Sequence, residues 1–212
     1  MRVGLFGGTF NPVHNAHLRT ALDVVEKFKL DKLFLIPSSI PPHKRSEETE
    51  SAKSRYEMLK LACEDARFIV SDVEFNRSGP SYTVDTIDYF LKKDYNELFF
   101  LIGTDAFLEI DLWKNYKKLL KKISFIIMKR PDVKDEISIL KRYIQDKIGK
   151  YNYSEDKKCF SGEENKELFL TNVTQLNISS TNIRDLIKKG DSIKHLVCEK
   201  VEDYIISKGL YR

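Results

Sequence analysis

The sequence predicts an α/β protein with a doubly wound, mostly parallel sheet, and three observations carry that reading. Short apolar runs of strand length alternate with amphipathic stretches of helical period along all 212 residues. Runs such as KLFLIP at Lys32–Pro37 and ELFFLI at 97–102 are continuous rather than alternating, which marks strands buried on both faces of a sheet. Polar loops follow these runs, and in open α/β sheets ligands bind at the carboxyl ends of the strands. The expectation is a single domain over 1–212 with helices on both faces and a helical C-terminal portion from about residue 178.

Composition narrows the function classes. Lys and Arg number 36 against 32 Asp and Glu, a net charge of only +4, and the lysine-rich stretch KNYKKLLKK at 114–122 reads as a solvated helix face. No nucleic-acid partner is expected. No apolar run approaches the length of a membrane span, and the first residues enter a strand with no secretory core, so the expected location is cytoplasmic, with no membrane partner. Cys63, Cys159 and Cys198 are widely spaced without CxxC pairing and read as reduced thiols. Residues 146–166 are polar and charged and read as an exposed excursion, not a domain boundary.

The first strand ends in Gly7-Gly8, followed by a turn element at Asn11-Pro12 and then His14 and His17. Glycines can take positive φ and let an anion approach the N–H groups at a helix start, so this loop is a candidate anion cradle. Neither the dinucleotide fingerprint nor a P-loop is present. Residues three apart on a helix are neighbours, so both histidines can face one anion. Two other readings stand beside this one: rings that only cap or pack at the helix start, and metal ligands, for which residues 1–22 supply no third Cys, His or carboxylate.

Apolar positions from Leu18 to Phe28 then predict a helix over 15–29. The strand Lys32–Pro37 runs into Ser38-Ser-Ile-Pro-Pro-His43-Lys44, either a ligand loop or plain surface. A helix over 52–66 and a strand over 68–73 follow, then a loop in which Ser81 or Thr83 caps a helix reaching residue 92. The strand at 97–102 stops at Gly103-Thr-Asp105, whose carboxylate can meet ribose hydroxyls or cap a helix. Trp113 and Tyr116 are core packing or a stacking platform. A strand at 124–128 ended by Arg130-Pro131, a helix at 136–148 and a last strand at 168–173 complete the alternation. In 177–184, Ser179, Ser180 and Thr181 stand at the start of a helix ending at Gly190, with Arg184 one turn in, a second candidate anion site. A final helix is expected over 193–208.

Together, GGTFNPVHNAH at 7–17 and ISSTNIR at 178–184 resemble the nucleotidyltransferase superfamily, whose signatures are an HxGH-type motif and an ISSTxxR motif. Within it the chain resembles the bacterial nicotinate-nucleotide adenylyltransferase family. Pro41-Pro-His-Lys44, Ser81-Tyr-Thr-Val-Asp-Thr86, Gly103-Thr-Asp105, Trp113 and Tyr116 extend the match from end to end in the family's order. One departure is Ala16, where the family has Gly between the histidines.

The resemblance implies a Rossmann-like nucleotidyltransferase fold and adenylyl transfer from ATP to nicotinate mononucleotide, giving deamido-NAD and pyrophosphate in NAD biosynthesis. It implies ATP binding by Gly7, Gly8, Thr9, Phe10, His14, His17, Gly103, Asp105, Ile178, Ser179, Ser180, Thr181 and Arg184. Nicotinate mononucleotide would meet Asn11, His43, Lys44, Ser81, Tyr82, Thr83, Thr86, Asp105, Trp113 and Tyr116. His14, His17, Lys44 and Arg184 would carry catalysis, with Mg2+ arriving on ATP and no direct protein ligand for it. A phosphate monoester with a second pKa of about 6 is already nucleophilic at neutral pH, so such a site needs positioning and charge neutralisation but no general base. The alternatives are a relative acting on nicotinamide mononucleotide or phosphopantetheine, and a nucleotide-binding protein without catalysis. A homo-oligomer is compatible with all of them.

Overall fold

The computed structural model describes residues 1–40, 49–77, 79–129 and 135–212. Among them the chain forms two compact units, one of Met1–Phe6 with Tyr82–Val173, the other of Gly7–Ser81 with Thr174–Arg212.

The first unit is built on a sheet ordered β1-β4-β5-β8-β7-β6. Its parallel part comprises β1 (Arg2–Gly8, whose last two residues belong to the other unit), β4 (Glu97–Gly103), β5 (Ser124–Lys129) and β8 (Leu168–Asn172). The register pairs Leu5 with Phe100, Phe100 with Phe125 and Phe125 with Leu168, a row of apolar residues buried across the sheet. This is what the continuous apolar runs require, since both faces of these strands are covered. Helices α3 (Thr83–Leu91), α4 (Thr104–Phe107), α5 (Tyr116–Lys122) and α6 (Glu136–Tyr143) follow the strands, α6 running on into a π turn at Ile144–Ile148.

The expected polar excursion at 146–166 is partly sheet. Strands β6 (Asn152–Ser154) and β7 (Cys159–Ser161) form an antiparallel hairpin, and β7 pairs antiparallel with β8. Two apolar side chains anchor it: Cys159 and Phe160 are both buried, and the Phe160 ring lies 4.6 Å from that of Tyr153.

The second unit holds α1 (Asn15–Lys27), β2 (Lys32–Pro37), α2 (Ala52–Ala62), β3 (Phe68–Val70), α7 (Ser180–Lys189) and α8 (Glu199–Lys208). Strands β2 and β3 are parallel, with Leu33 opposite Phe68 and Leu35 opposite Val70. Val24, Val25, Leu33, Leu35, Met58, Leu59, Val201 and Ile205 are buried. Ser179 caps α7, accepting the Asn182 N–H at 3.1 Å, and Gly190 ends it at φ 77°, a left-handed C-cap that glycine adopts without side-chain clash. The final helix starts later than its apolar pattern suggests, because 193–198 forms a turn whose carbonyls serve another element, as described below.

The sheet is parallel except at its β7 and β6 edge, with helices around it, as the alternating pattern predicts. All three cysteines are free thiols. Leu5 is fully buried in β1, so Leu5→Ala should lower unfolding free energy by about 3 kcal/mol in urea titration, the usual loss for a core leucine. A loss below about 1 kcal/mol would contradict this packing.

Candidate functional site

Strand β1 delivers its last residues, Gly7 and Gly8, to a loop that runs to His14. Neither glycine has positive φ; the left-handed residue is Phe10, at φ 48°, ahead of a cis Asn11-Pro12 bond. Glycine at position 8 makes room in a different way. A Cβ there would stand 3.0 Å from the Phe10 ring, which folds back over it. Phe10, Asn11, Val13 and His14 are buried, so the loop is packed and fixed.

Its carbonyls are held from outside. Gly8 accepts from the Ser38 N–H at 2.9 Å, and Thr9 accepts from Arg55 Nη1 at 2.7 Å. Asn11 accepts on its main chain from Arg184 Nη1 at 2.9 Å, and Pro12 accepts from the Ser180 hydroxyl at 2.9 Å. The Asn11 side-chain oxygen accepts from Tyr211 Oη at 2.9 Å and from the Glu50 N–H at 3.1 Å.

His14 is the N-cap of α1 and His17 lies in its first turn. Their rings stack with centroids 3.6 Å apart, and the edge of Phe10 closes on His17 at 5.1 Å. The His14 N–H donates to His17 Nδ1 at 3.3 Å, so the neutral His17 ring carries its proton on Nε2. Burial pulls the His14 pKa down to about 4, which keeps that ring neutral at pH 7 and makes it a donor without a charge. Among the described residues its buried Nδ1 has no hydrogen-bond partner. Ala16 sits half-buried between them in the same turn.

Helix α7 faces this loop with its N-terminus. Ser179 and Thr181 are exposed, Ile178 and Ser180 half-buried, and Arg184 Nη2 also donates to Thr181 Oγ1 at 3.3 Å. Ser180 and Arg184 therefore tie the two motifs together directly. Two further clasps fix α1: Asn15 donates from its main chain and side chain to the carbonyls of Leu196 and His195, at 2.9 and 2.8 Å, and Asp23 accepts the Thr174 N–H. Burial pushes the Asp23 carboxyl up, but hydrogen bonds from Thr174 and Arg19 outweigh it and hold the group below its ordinary range.

Ser81 is not a helix cap: its hydroxyl accepts the N–H groups of Ser39 and Ile40 at 3.0 and 3.3 Å. His43 and Lys44 lie outside the described residues, as does Arg130-Pro131. In the first unit, Tyr82 rather than Thr83 is the N-cap of α3, without a side-chain cap bond, and Lys114 Nζ lies 4.2 Å over its ring. Thr86 is buried in α3. Gly103 is the N-cap of α4, Asp105 is exposed in the first turn, and Thr104 donates to the Met128 carbonyl at 3.2 Å. Half-buried Trp113 meets Phe100 edge-on at 6.2 Å, and Tyr116 Oη donates to the Lys147 carbonyl at 3.4 Å.

Sequence reasoning missed Arg55 and Tyr211. Arg55 occupies an apolar-face position of α2, one turn from Leu59 and two from Ala62, and a charge on that face was the available signal. Tyr211 left no such trace.

The cytidylyltransferase-like family profile matches residues 5–186. Relatives named "Probable nicotinate-nucleotide adenylyltransferase" include one from Desulfatibacillum aliphaticivorans, 43% identical, and one from Dictyoglomus thermophilum, 40% identical; both alignments cover 100% of each chain. The chain belongs to the nicotinate-nucleotide adenylyltransferase family. The "Plasmodium falciparum nicotinic acid mononucleotide adenylyltransferase complexed with NaAD" has the same fold, with TM-score 0.74 at 21% identity over 99% of this chain and 97% of that one. In this member of the nicotinate-nucleotide adenylyltransferase family, the HxGH-type and ISSTxxR motifs are the two segments joined by Ser180 and Arg184.

The buried His14 gives a pH signature. The unfolded imidazole takes a proton near its ordinary pKa of 6.5, the folded one only near 4, so between these values the unfolded chain binds more protons. Stability is complete above pH 6.5 and falls as the pH drops toward 4, by about 3 kcal/mol. Urea titrations across this window should show that slope reduced in His14→Asn. An unchanged slope would contradict a neutral buried His14.

Proposed function

We infer that the chain catalyses adenylyl transfer from ATP to nicotinate mononucleotide, releasing pyrophosphate and forming nicotinate adenine dinucleotide for NAD biosynthesis. The observation that carries this reading is the convergence of two donor sets. Ser180 and Arg184 on α7 bind the main chain of Asn11-Pro12, so histidines, hydroxyls, a guanidinium and two helix N-termini gather in one unit. The relatives' name and full-length match support the same reaction, and neighbours were solved with NaAD and with APC bound.

The reaction joins a mononucleotide phosphate oxygen to the α-phosphorus of ATP and breaks its bond to pyrophosphate. The nucleophile is already dianionic, so the protein's task is to align two polyanions and to receive the charge that builds on pyrophosphate. In our reading the main chain of Gly7, Gly8, Thr9 and Phe10 and the hydroxyls of Ser179, Ser180 and Thr181 hold the triphosphate, with adenine near Ile178. His17 donates through Nε2, the neutral His14 ring supports it by stacking, and Arg184 supplies positive charge. By motif, Gly103 and Asp105 meet ATP, and Asp105 the acceptor as well. Asn11, His43, Lys44, Ser81, Tyr82, Thr83, Thr86, Trp113 and Tyr116 serve the mononucleotide, and residues 1–212 act as one nucleotidyltransferase domain, cytoplasmic in location.

We also propose Mg2+ as the companion of ATP. The donors at the site are imidazole, hydroxyl and guanidinium, which fit a nucleotide carrying its Mg2+ on phosphate oxygens and water. The ion would neutralise charge on those oxygens. Wild-type protein with ATP and nicotinate mononucleotide should release pyrophosphate only with Mg2+ present, and a chelator should abolish the release reversibly. No release with nicotinate, nicotinamide or phosphopantetheine acceptors would refute the reading. His17→Ala should stay folded yet turn over roughly 10²-fold more slowly, the usual cost of losing a positioned donor to developing charge. Near-normal turnover would remove His17 from the machinery.

A further inference from the structure

Arg55 is 1% exposed, and its three recorded guanidinium bonds all go to main-chain carbonyls: Thr9 at 2.7 Å, Glu50 at 3.0 Å and Ser39 at 3.1 Å. These belong to three segments: the loop after β1, the stretch after β2 and the approach to α2. A buried guanidinium is costly, and hydrogen bonds must satisfy it. A planar trans peptide points its N–H opposite to its C=O. Holding the Thr9 carbonyl therefore fixes the direction of the Phe10 N–H, as Ser38 on the Gly8 carbonyl fixes the Thr9 N–H, and Ser180 on the Pro12 carbonyl fixes that of Val13. Of these clamps, Arg55 alone is a buried cation, so it also sets a positive charge behind the loop.

Resting on the ATP-binding reading above, we propose that Arg55 is a positioning residue for the triphosphate: it turns the Thr9–Phe10 peptide so that its N–H faces the anion, and it backs that peptide with charge. It does not touch the reacting atoms. Burial lowers the Arg55 pKa, with Tyr211 and Glu74 opposing that shift, and the fork geometry of the three bonds is one that lysine cannot reproduce.

The test measures equilibrium Kd for ATP and for nicotinate mononucleotide separately, with the thermal midpoint, on wild type, Arg55→Lys and Arg55→Ala. Arg55→Lys should raise the ATP Kd by about 10-fold or more, the scale of one lost charge-assisted hydrogen bond, while the mononucleotide Kd stays within about 2-fold. Guanidinium ion at sub-denaturing concentration should restore ATP binding to Arg55→Ala. An unchanged ATP Kd in Arg55→Lys, or equal weakening for both ligands, would overturn the proposal. So would loss of folding in both variants with no recovery on adding guanidinium. Wild type that binds ATP but releases no pyrophosphate would defeat the transferase reading alone, leaving the Arg55 comparison decisive.

Discussion

A backbone that holds a polyanion turns its N–H groups inward, and in a trans peptide the carbonyl then points the other way, where a partner can fix it. In the proposed reading, that constraint organises the second unit. In the loop from Gly8 to Pro12, Ser38, Arg55 and Ser180 fix the carbonyls of peptides that carry an N–H, while Arg184 fixes the Asn11 carbonyl, whose peptide runs to Pro12 and carries none; these residues come from the end of β2, the first turn of α2 and the start of α7. Tyr211, next to the last residue, reaches the Asn11 side chain. Segments far apart in sequence thus shape one short loop. Glycine at position 8 serves the same end, since its missing Cβ lets the left-handed Phe10 fold its ring against the strand end.

Charge is distributed with restraint around this loop. His14 is neutral because it is buried, and His17 has one nitrogen committed to the helix start. The stacked rings would repel each other if both were charged, so in the proposed reading the pair serves as a directed donor with a neutral support more than as a double cation. Positive charge comes instead from guanidinium groups, half-buried at Arg184 and fully buried at Arg55. Ala16 in place of glycine fits this picture: it lies in the first turn of α1, where alanine favours helix, and leaves the histidine stack intact.

Much of this was legible in the sequence because it rests on local rules. Continuous apolar runs placed β2 at its observed residues and β4 and β5 to within one, and the alternation predicted the parallel sheet. The histidine and ISST segments stood out by residue type and spacing. What escaped depends on tertiary contacts. The β6 and β7 hairpin is anchored by Cys159 and Phe160, too short a pattern to outweigh its polar neighbours. Ser81 looked like a cap, yet its oxygen is taken by Ser39 and Ile40. The turn at 193–198 presents carbonyls of His195 and Leu196 to Asn15, which no local periodicity encodes. Arg55 was visible only as a charge on an apolar face, and its meaning came from the carbonyls it reaches.

The most direct measurement of the central claim is amide and imidazole chemical-shift mapping as Mg2+ and ATP are added to the 15N-labelled chain. The account predicts that the amides of Gly8, Thr9, Phe10, Ser180 and Thr181 and the rings of His14 and His17 shift together along one saturation curve. Shifts confined to the first unit, for instance around the separate cleft of about 830 Å3 lined by Tyr151, Tyr153 and Asn165, would contradict it.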